Sequence, residues 1–257
     1  MTRPAQSFVA VIVASLAWAV TAEARQPAGR GGRGGAPEPP KNLQILPKDI
    51  PRPELIAVMG SFARGLGVQC SYCHVQEPTD GREDMAADDK APKKTARVMM
   101  KMMTDLNARL GTEVGKPAAE MTRVQCVTCH RGIAIPKQIA DILVETDTTK
   151  GVQAAIAQYR DLRKQYYGSM AYDFTETGLT LPAQQLVAAN KPDDALALLQ
   201  LNTEFFPRSV ATYAGMAAAF NRKNDRANAI KSFEKVLEID PQNQNAKRQL
   251  DQLRAQQ

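Results

Sequence analysis

The sequence holds two histidines and four cysteines in 257 residues, and all six fall inside two copies of one pentapeptide. Nothing of either kind remains elsewhere to act as a general base, a nucleophile or a bridge between distant segments. No cysteine precedes Cys70, which excludes lipid attachment to a new N-terminal cysteine. Aromatic residues make up 5% of the chain, and Trp18 is the single tryptophan. The net charge is +6, of which four arginines and two glutamates in residues 1–40 supply +2, leaving +4 for the rest. So modest an excess, without aromatic interleaving, argues against a nucleic-acid partner. The leading apolar run, Phe8–Val20, has 13 residues, short of the roughly 18–20 a membrane-spanning helix needs.

What that run does fit is an export signal. Arg3 gives the positive end, and Ala22-Glu23-Ala24 offers a small-residue cleavage site. We expect residues 1–24 to be a signal peptide cut after Ala24, with an uncleaved membrane anchor as the alternative. Residues 25–41, rich in Gly, Pro and Arg, have nothing to bury and read as a disordered linker.

The pentapeptides are "CSYCH" at 70–74 and "CVTCH" at 126–130. In an exported chain, Cys-x-x-Cys can form a disulfide, exchange thiols, bind zinc or attach haem c. Zinc ligand pairs are usually separated by about 12–20 residues, whereas Cys126 stands 52 positions after His74. A redox disulfide needs no trailing histidine. Two thiols one helical turn apart can each add to one vinyl group of a single haem, and the next histidine then reaches the iron. Cys70, Cys73 and His74 are therefore expected to hold one covalent haem c, and Cys126, Cys129 and His130 a second, with both histidines as proximal iron ligands.

With both histidines used, neither iron can take a second one. Methionine is the remaining soft donor, and its thioether raises the reduction potential. Pro51, Pro53 and Glu54 mark a helix start ahead of the first motif, and Leu55, Val58, Met59 and Phe62 share a face. Met59, eleven residues before Cys70, is the distal ligand we expect there, with Gly65 and Gly67 forming a tight turn between. Ahead of the second motif a helix should run from Pro92 to Gly111, carrying Met99, Met100, Met102 and Met103. Composition alone does not choose among these four.

"LGVQCSYCH", "ARVMMKMMTDLN" and "VQCVTCHRG" together resemble the cytochrome c subunit of photosynthetic reaction centres, and most closely its two-haem relatives. The likeness covers about residues 42–136. It implies helix–turn–helix haem units with Met59 on the first iron and Met99 on the second. Met102 and Met103 stay open as alternatives, because the stretch from Met99 to Cys126 is longer than the family's. Arg131, Lys93, Lys94 and Arg97 are candidates to pair with haem propionates, the plainer reading being a solvated basic face. The acidic stretch 77–90 reads as an exposed loop.

After Pro136 the chain turns Ala-rich. Ala195 with Ala229, Leu199 with Phe233 and Pro207 with Pro241 recur at an offset of 34 residues, and Tyr213, Ala217 and Phe220 fall on tetratricopeptide positions. We expect two such repeats, with "VQAAIAQYRDLRKQYYG" added as one helix and Tyr159, Tyr166 and Tyr167 as packing residues. The repeats form either a protein-docking groove or a stabilising cap.

The expected architecture is all-α: a dihaem cytochrome c domain at 42–145 and a tetratricopeptide-like (TPR-like) domain at 146–257. The expected function is periplasmic transfer of single electrons between a donor and an acceptor protein, either of which can be membrane-bound. It is not expected to be an enzyme. The alternatives are a dihaem peroxidase with one open coordination position, and a docking or assembly protein built on the repeats.

Overall fold

The computed structural model describes residues 39–76, 83–115 and 120–255, so the expected signal peptide and most of the linker lie outside the described residues. What is described is almost wholly helical, as expected from the sequence.

In the first half, helix α1 spans Arg52–Leu66, with proline in its first turn and Gly67 closing it in the left-handed region at φ 66°. A single 3₁₀ turn, Cys70–Tyr72, follows. Next come two very short antiparallel strands, β1 (Val75–Gln76) and β2 (Glu83–Asp84), paired Val75 to Asp84 and Gln76 to Glu83. Helix α2, Ala91–Glu113, starts on Pro92 but runs through Gly111, where the sequence suggested a stop. Arg109 and Glu113 pair one turn apart at 3.0 Å across that glycine, and the left-handed residue comes later, at Gly115 with φ 66°. Helix α3 is the five residues Cys126–His130.

The second half is a stack of paired helices: α4 (Ile139–Lys150), α5 (Val152–Tyr166), α6 (Thr177–Ala188), α7 (Pro192–Phe205), α8 (Val210–Arg222), α9 (Arg226–Ile239) and α10 (Gln244–Ala255). Helices α4 and α5, α6 and α7, and α8 and α9 form consecutive hairpins, and α10 lies on α9. Local chemistry repeats with the geometry. Asn190 and Asn224 turn the chain at φ 60° and 59° in equivalent places, a conformation asparagine tolerates better than most residues. Ser209 caps α8 by accepting from Thr212 N–H, and Asp225 caps α9 by accepting from Asn228 N–H. Pro207 and Pro241 each follow two residues after a helix end.

The hairpin α4–α5 was not foreseen. The expected domain boundary at 145/146 falls inside α4, whose Ile139 and Leu143 belong to the same buried cluster as Tyr159, Leu179, Leu186 and Leu198. A second cluster joins Ala217, Ala229, Phe233, Val236 and Leu250. Tyr159 is fully buried, with its ring 5.8 Å from Phe174 and 5.9 Å from Phe205, whereas Tyr167 stays exposed under the Arg163 guanidinium. Between α7 and α8 the buried Asn202 amide donates to Glu176 O (3.0 Å) and Thr212 Oγ1 (2.8 Å), which fixes the register of the two hairpins.

Apolar burial is unevenly shared. Every buried hydrophobic residue among the described ones lies at Ile139 or beyond, and before it only Gly65 is buried. Conversely, Ile56, Val98, Met99, Met102, Leu106, Val127 and Ile135 are exposed. Exposed apolar side chains at this density mark a surface that binds something apolar.

Candidate functional site

In the first motif, Cys73 N–H and His74 N–H both donate to Cys70 O, at 3.1 and 3.0 Å. That helical turn sets the Cys70 and Cys73 thiols one turn apart with the imidazole directly after them. Burial pushes the Cys73 thiol up, an effect the Lys90 and Lys93 charges partly reverse. The Lys90 ammonium donates to the Ser71 carbonyl and so ties the motif to the start of α2.

The second motif is a true α-helical turn. Gln125 N–H donates to Thr128 Oγ1 at 3.0 Å at its start, and Arg131 ends it in the left-handed region at φ 51°. Burial also raises the Cys126 thiol. His130 Nδ1 lies 2.9 Å from Ile133 O. A carbonyl only accepts, so Nδ1 carries the proton and Nε2 keeps its lone pair for a metal. Ligating histidines are usually oriented this way. The four cysteines form no disulfide. Paired thiols on one helical turn, an oriented imidazole and a run of exposed apolar side chains fit a covalently held planar apolar group with a metal at its centre.

Two further features tie the second motif to α1 and α2, and the sequence reading missed both. The C-terminal end of α1 packs on α3, not only on the turn leading to Cys70. Gly65 sits in the last turn of α1 rather than in the turn after it, and a Cβ there would meet Cys126 Cβ at 3.1 Å. Gly65 O accepts from Gly132 N–H at 2.9 Å. The second feature is Asn107 on α2, which donates to Val124 O at 2.9 Å and accepts from Val124 N–H at 2.8 Å.

The methionines divide by face. Met59 is half-buried on α1. On α2, Met100, Met103 and Asn107 are half-buried along one side, while Met99 and Met102 are exposed beside Val98 and Leu106. Helical spacing puts both sets within reach of a group lying along α2, and Met99, Met102 and Leu106 form its apolar stripe.

Two of the four basic residues suggested for propionates, Lys93 and Arg97, are engaged within the fold. Arg97 grips Asp88 with two bonds of 2.8 Å. Lys93 donates to Met85 O, Ala86 O and Ala87 O at 2.9, 3.1 and 2.7 Å and pairs with Asp88. These two side chains are neither solvated nor free for a ligand; Lys94 and Arg131 remain exposed. The described part of the acidic stretch is correspondingly more than a loop. Asp84 accepts from Ala86 and Ala87 N–H, which lowers its pKa, and the Arg97 guanidinium holds the Asp88 carboxyl far below the usual carboxylate range.

An all-α chain whose cysteines and histidines sit in two C-x-x-C-H turns has the donor set of a c-type cytochrome. Residues 12–216 match the family described as photosynthetic reaction centre cytochrome C subunit. The chain belongs to that family, and the match extends well past residues 42–136 into the stacked hairpins. The photosynthetic reaction center cytochrome c subunit of Rubrivivax gelatinosus (strain NBRC 100245 / IL144) is 36% identical over 70 residues, 27% of this chain and 16% of that protein. The match thus spans about a sixth of that relative's length. The NMR structure of the first TPR domain of the human RPAP3 protein superposes at a TM-score of 0.33, with 19% identity, over 46% of this chain and 87% of that one. That superposition is too loose to carry an argument, so the repeat assignment rests on the chain's own helix pairs and 34-residue turn chemistry.

Proposed function

We propose that this protein is an exported c-type cytochrome holding two haem c groups, and that it passes single electrons between redox proteins. The observation that carries the reading is the second motif: two thiols on one turn, followed by an imidazole whose Nδ1 proton is committed to Ile133 O. Bound haem supplies an iron that can gain or lose one electron. The chain supplies the rest. Cys70 and Cys73, and Cys126 and Cys129, would hold the two groups as thioethers, and His74 and His130 would each give an imidazole nitrogen to one iron. Met59 and Met99 would each offer a thioether to one iron, with Met102 and Met103 as the alternatives to Met99.

With a histidine and a methionine committed to each group, no donor position would remain for a substrate, which favours a carrier over a peroxidase. An electron enters from a reduced donor and leaves to an oxidised acceptor, with no bond made or broken. The family's name points to partners in a membrane complex, and among the described residues no helix is long and apolar enough to cross a membrane itself. We assign the cytochrome region to about residues 42–138 and the helical repeats to the remainder from Ile139, with docking to a protein partner as their role.

The test is expression of the full chain with a cytochrome maturation system, followed by mass spectrometry and a redox-titrated spectrum. The mature chain should begin after Ala24, carry two haem masses and show the weak long-wavelength band of Met-ligated ferric haem. Met59→Ala and Met99→Ala should each remove that band from one haem. Bound zinc or free thiols would end the reading.

A further inference from the structure

We propose that Asn107 is a positioning residue that sets the methionine ligand of the second haem against His130. The inference rests on the two-haem reading above. Among the described residues, the Asn107 carboxamide makes two hydrogen bonds from α2 to Val124, in the segment entering the second motif.

The geometry is that of a two-way bridge, as between neighbouring strands, with a side chain standing in for one backbone. One bond would fix a distance; two opposed bonds also fix the rotation of the Val124 peptide about the helix. Val124 lies two residues before Cys126 and six before His130. Met99 lies eight residues before Asn107 on the same rigid helix, about 12 Å along its axis at 1.5 Å per residue. The carboxamide therefore joins the element that brings the thioether to the element that brings the imidazole. Both ends of the bridge are half-buried, which shields it from competing water.

The residue type is specific to this task. Aspartate on the same stem accepts from Val124 N–H but cannot donate to Val124 O. Leucine keeps the shape and makes neither bond. Glutamine adds a methylene and moves the amide outward. A supporting group around a metal ligand has to hold it within about half an ångström, and the thioether is the weaker of the two axial donors, so it should be the first to go.

The experiment uses the haem-loaded full chain. In Asn107→Leu the methionine band of the ferric protein should fall to about half, carbon monoxide should bind one reduced haem per chain, and one reduction potential should drop while the other holds. Asn107→Asp should show the same changes to a smaller degree. A merely structural role would lower the melting temperature and leave band, ligand binding and both potentials unchanged, which would overturn the proposal. Equal damage to both haems would overturn it too. If Asn107→Leu fails to mature, Asn107→Asp decides the matter on the same readouts. A wild-type protein without two haems, or without the methionine band, sinks the underlying reading and this proposal with it; a normal wild-type and a normal Asn107→Leu sink this proposal alone.

Discussion

Gly67→Ala tests whether the two attachment segments are interlocked. Gly67 sits at φ 66°, where an L side chain costs about 1–2 kcal/mol. Its new Cβ would also lie 2.1 Å from Gly132 O, a backbone atom that cannot swing away. Moving that carbonyl also shifts the Gly132 N–H on the preceding peptide unit, which donates to Gly65 O at 2.9 Å, a bond worth about 1 kcal/mol. The expected loss is about 2–3 kcal/mol. Gly115→Ala is the matched control: φ is again 66°, and nothing among the described residues lies within 4 Å of the added carbon. It should lose only the conformational part, about 1–2 kcal/mol. Denaturant titration of the haem-loaded protein, followed by haem absorbance, reads the cytochrome region separately from the helical stack. If the two variants agree within about 0.5 kcal/mol, the scatter of neutral surface changes, the close approach of α1 to the turn after α3 is refuted.

Two further outcomes follow from the same geometry. Leu198→Ala, at a fully buried position between hairpins, should cost about 2–5 kcal/mol in the far-UV circular dichroism melt and leave the haem spectrum unchanged. Asp88 keeps its charge to lower pH in the folded chain than in the unfolded one, because Arg97 holds its carboxyl down. Its stabilising contribution is therefore present above the ordinary carboxylate value of about 4 and fades as pH falls from there toward the depressed one. An acid titration of the haem absorbance should be flatter for Asp88→Asn than for the wild type below about pH 4.

Much of this was legible in the residues because it is local. A C-x-x-C-H turn, a proline-started helix and a 34-residue echo of Ala, Leu or Phe, and Pro need no knowledge of distant contacts. Asn107 was unreadable because its partner is a backbone peptide 17 residues away, and peptides leave no mark in a sequence. Gly65 was misread as a turn residue for the same reason: its cause is the Cys126 side chain opposite, not the local backbone. The expected boundary at 145/146 cuts helix α4, whose last turns, "ETDTT", are poor in helix formers. In the fold its threonines bond back to carbonyls one turn earlier, Thr146 to Ile142 O and Thr148 to Val144 O, both at 2.8 Å, and burial of Ile139 and Leu143 holds the helix in place. Lys93 and Arg97 were misjudged because charge alone does not reveal that Asp88 lies in front of them.

The uneven burial leads to a last prediction. Residues from Ile139 onward bury their own apolar side chains in two clusters, enough hairpins to meet the roughly three repeats such stacks need. The described residues of 39–138 instead expose theirs along α2, on α3 and near the start of α1, and helices of that kind gain most of their stability from packing rather than propensity. The region then depends on the attached groups for its interior, while the stack does not. In a chain with all four cysteines changed to alanine, hydrogen exchange should show native protection in α6–α9 and near-complete loss in α1 and α2. Protection of α2 equal to that in the haem-loaded protein would show that the cytochrome region folds on contacts of its own, and the exposed stripe of Met99, Met102 and Leu106 would then need another explanation.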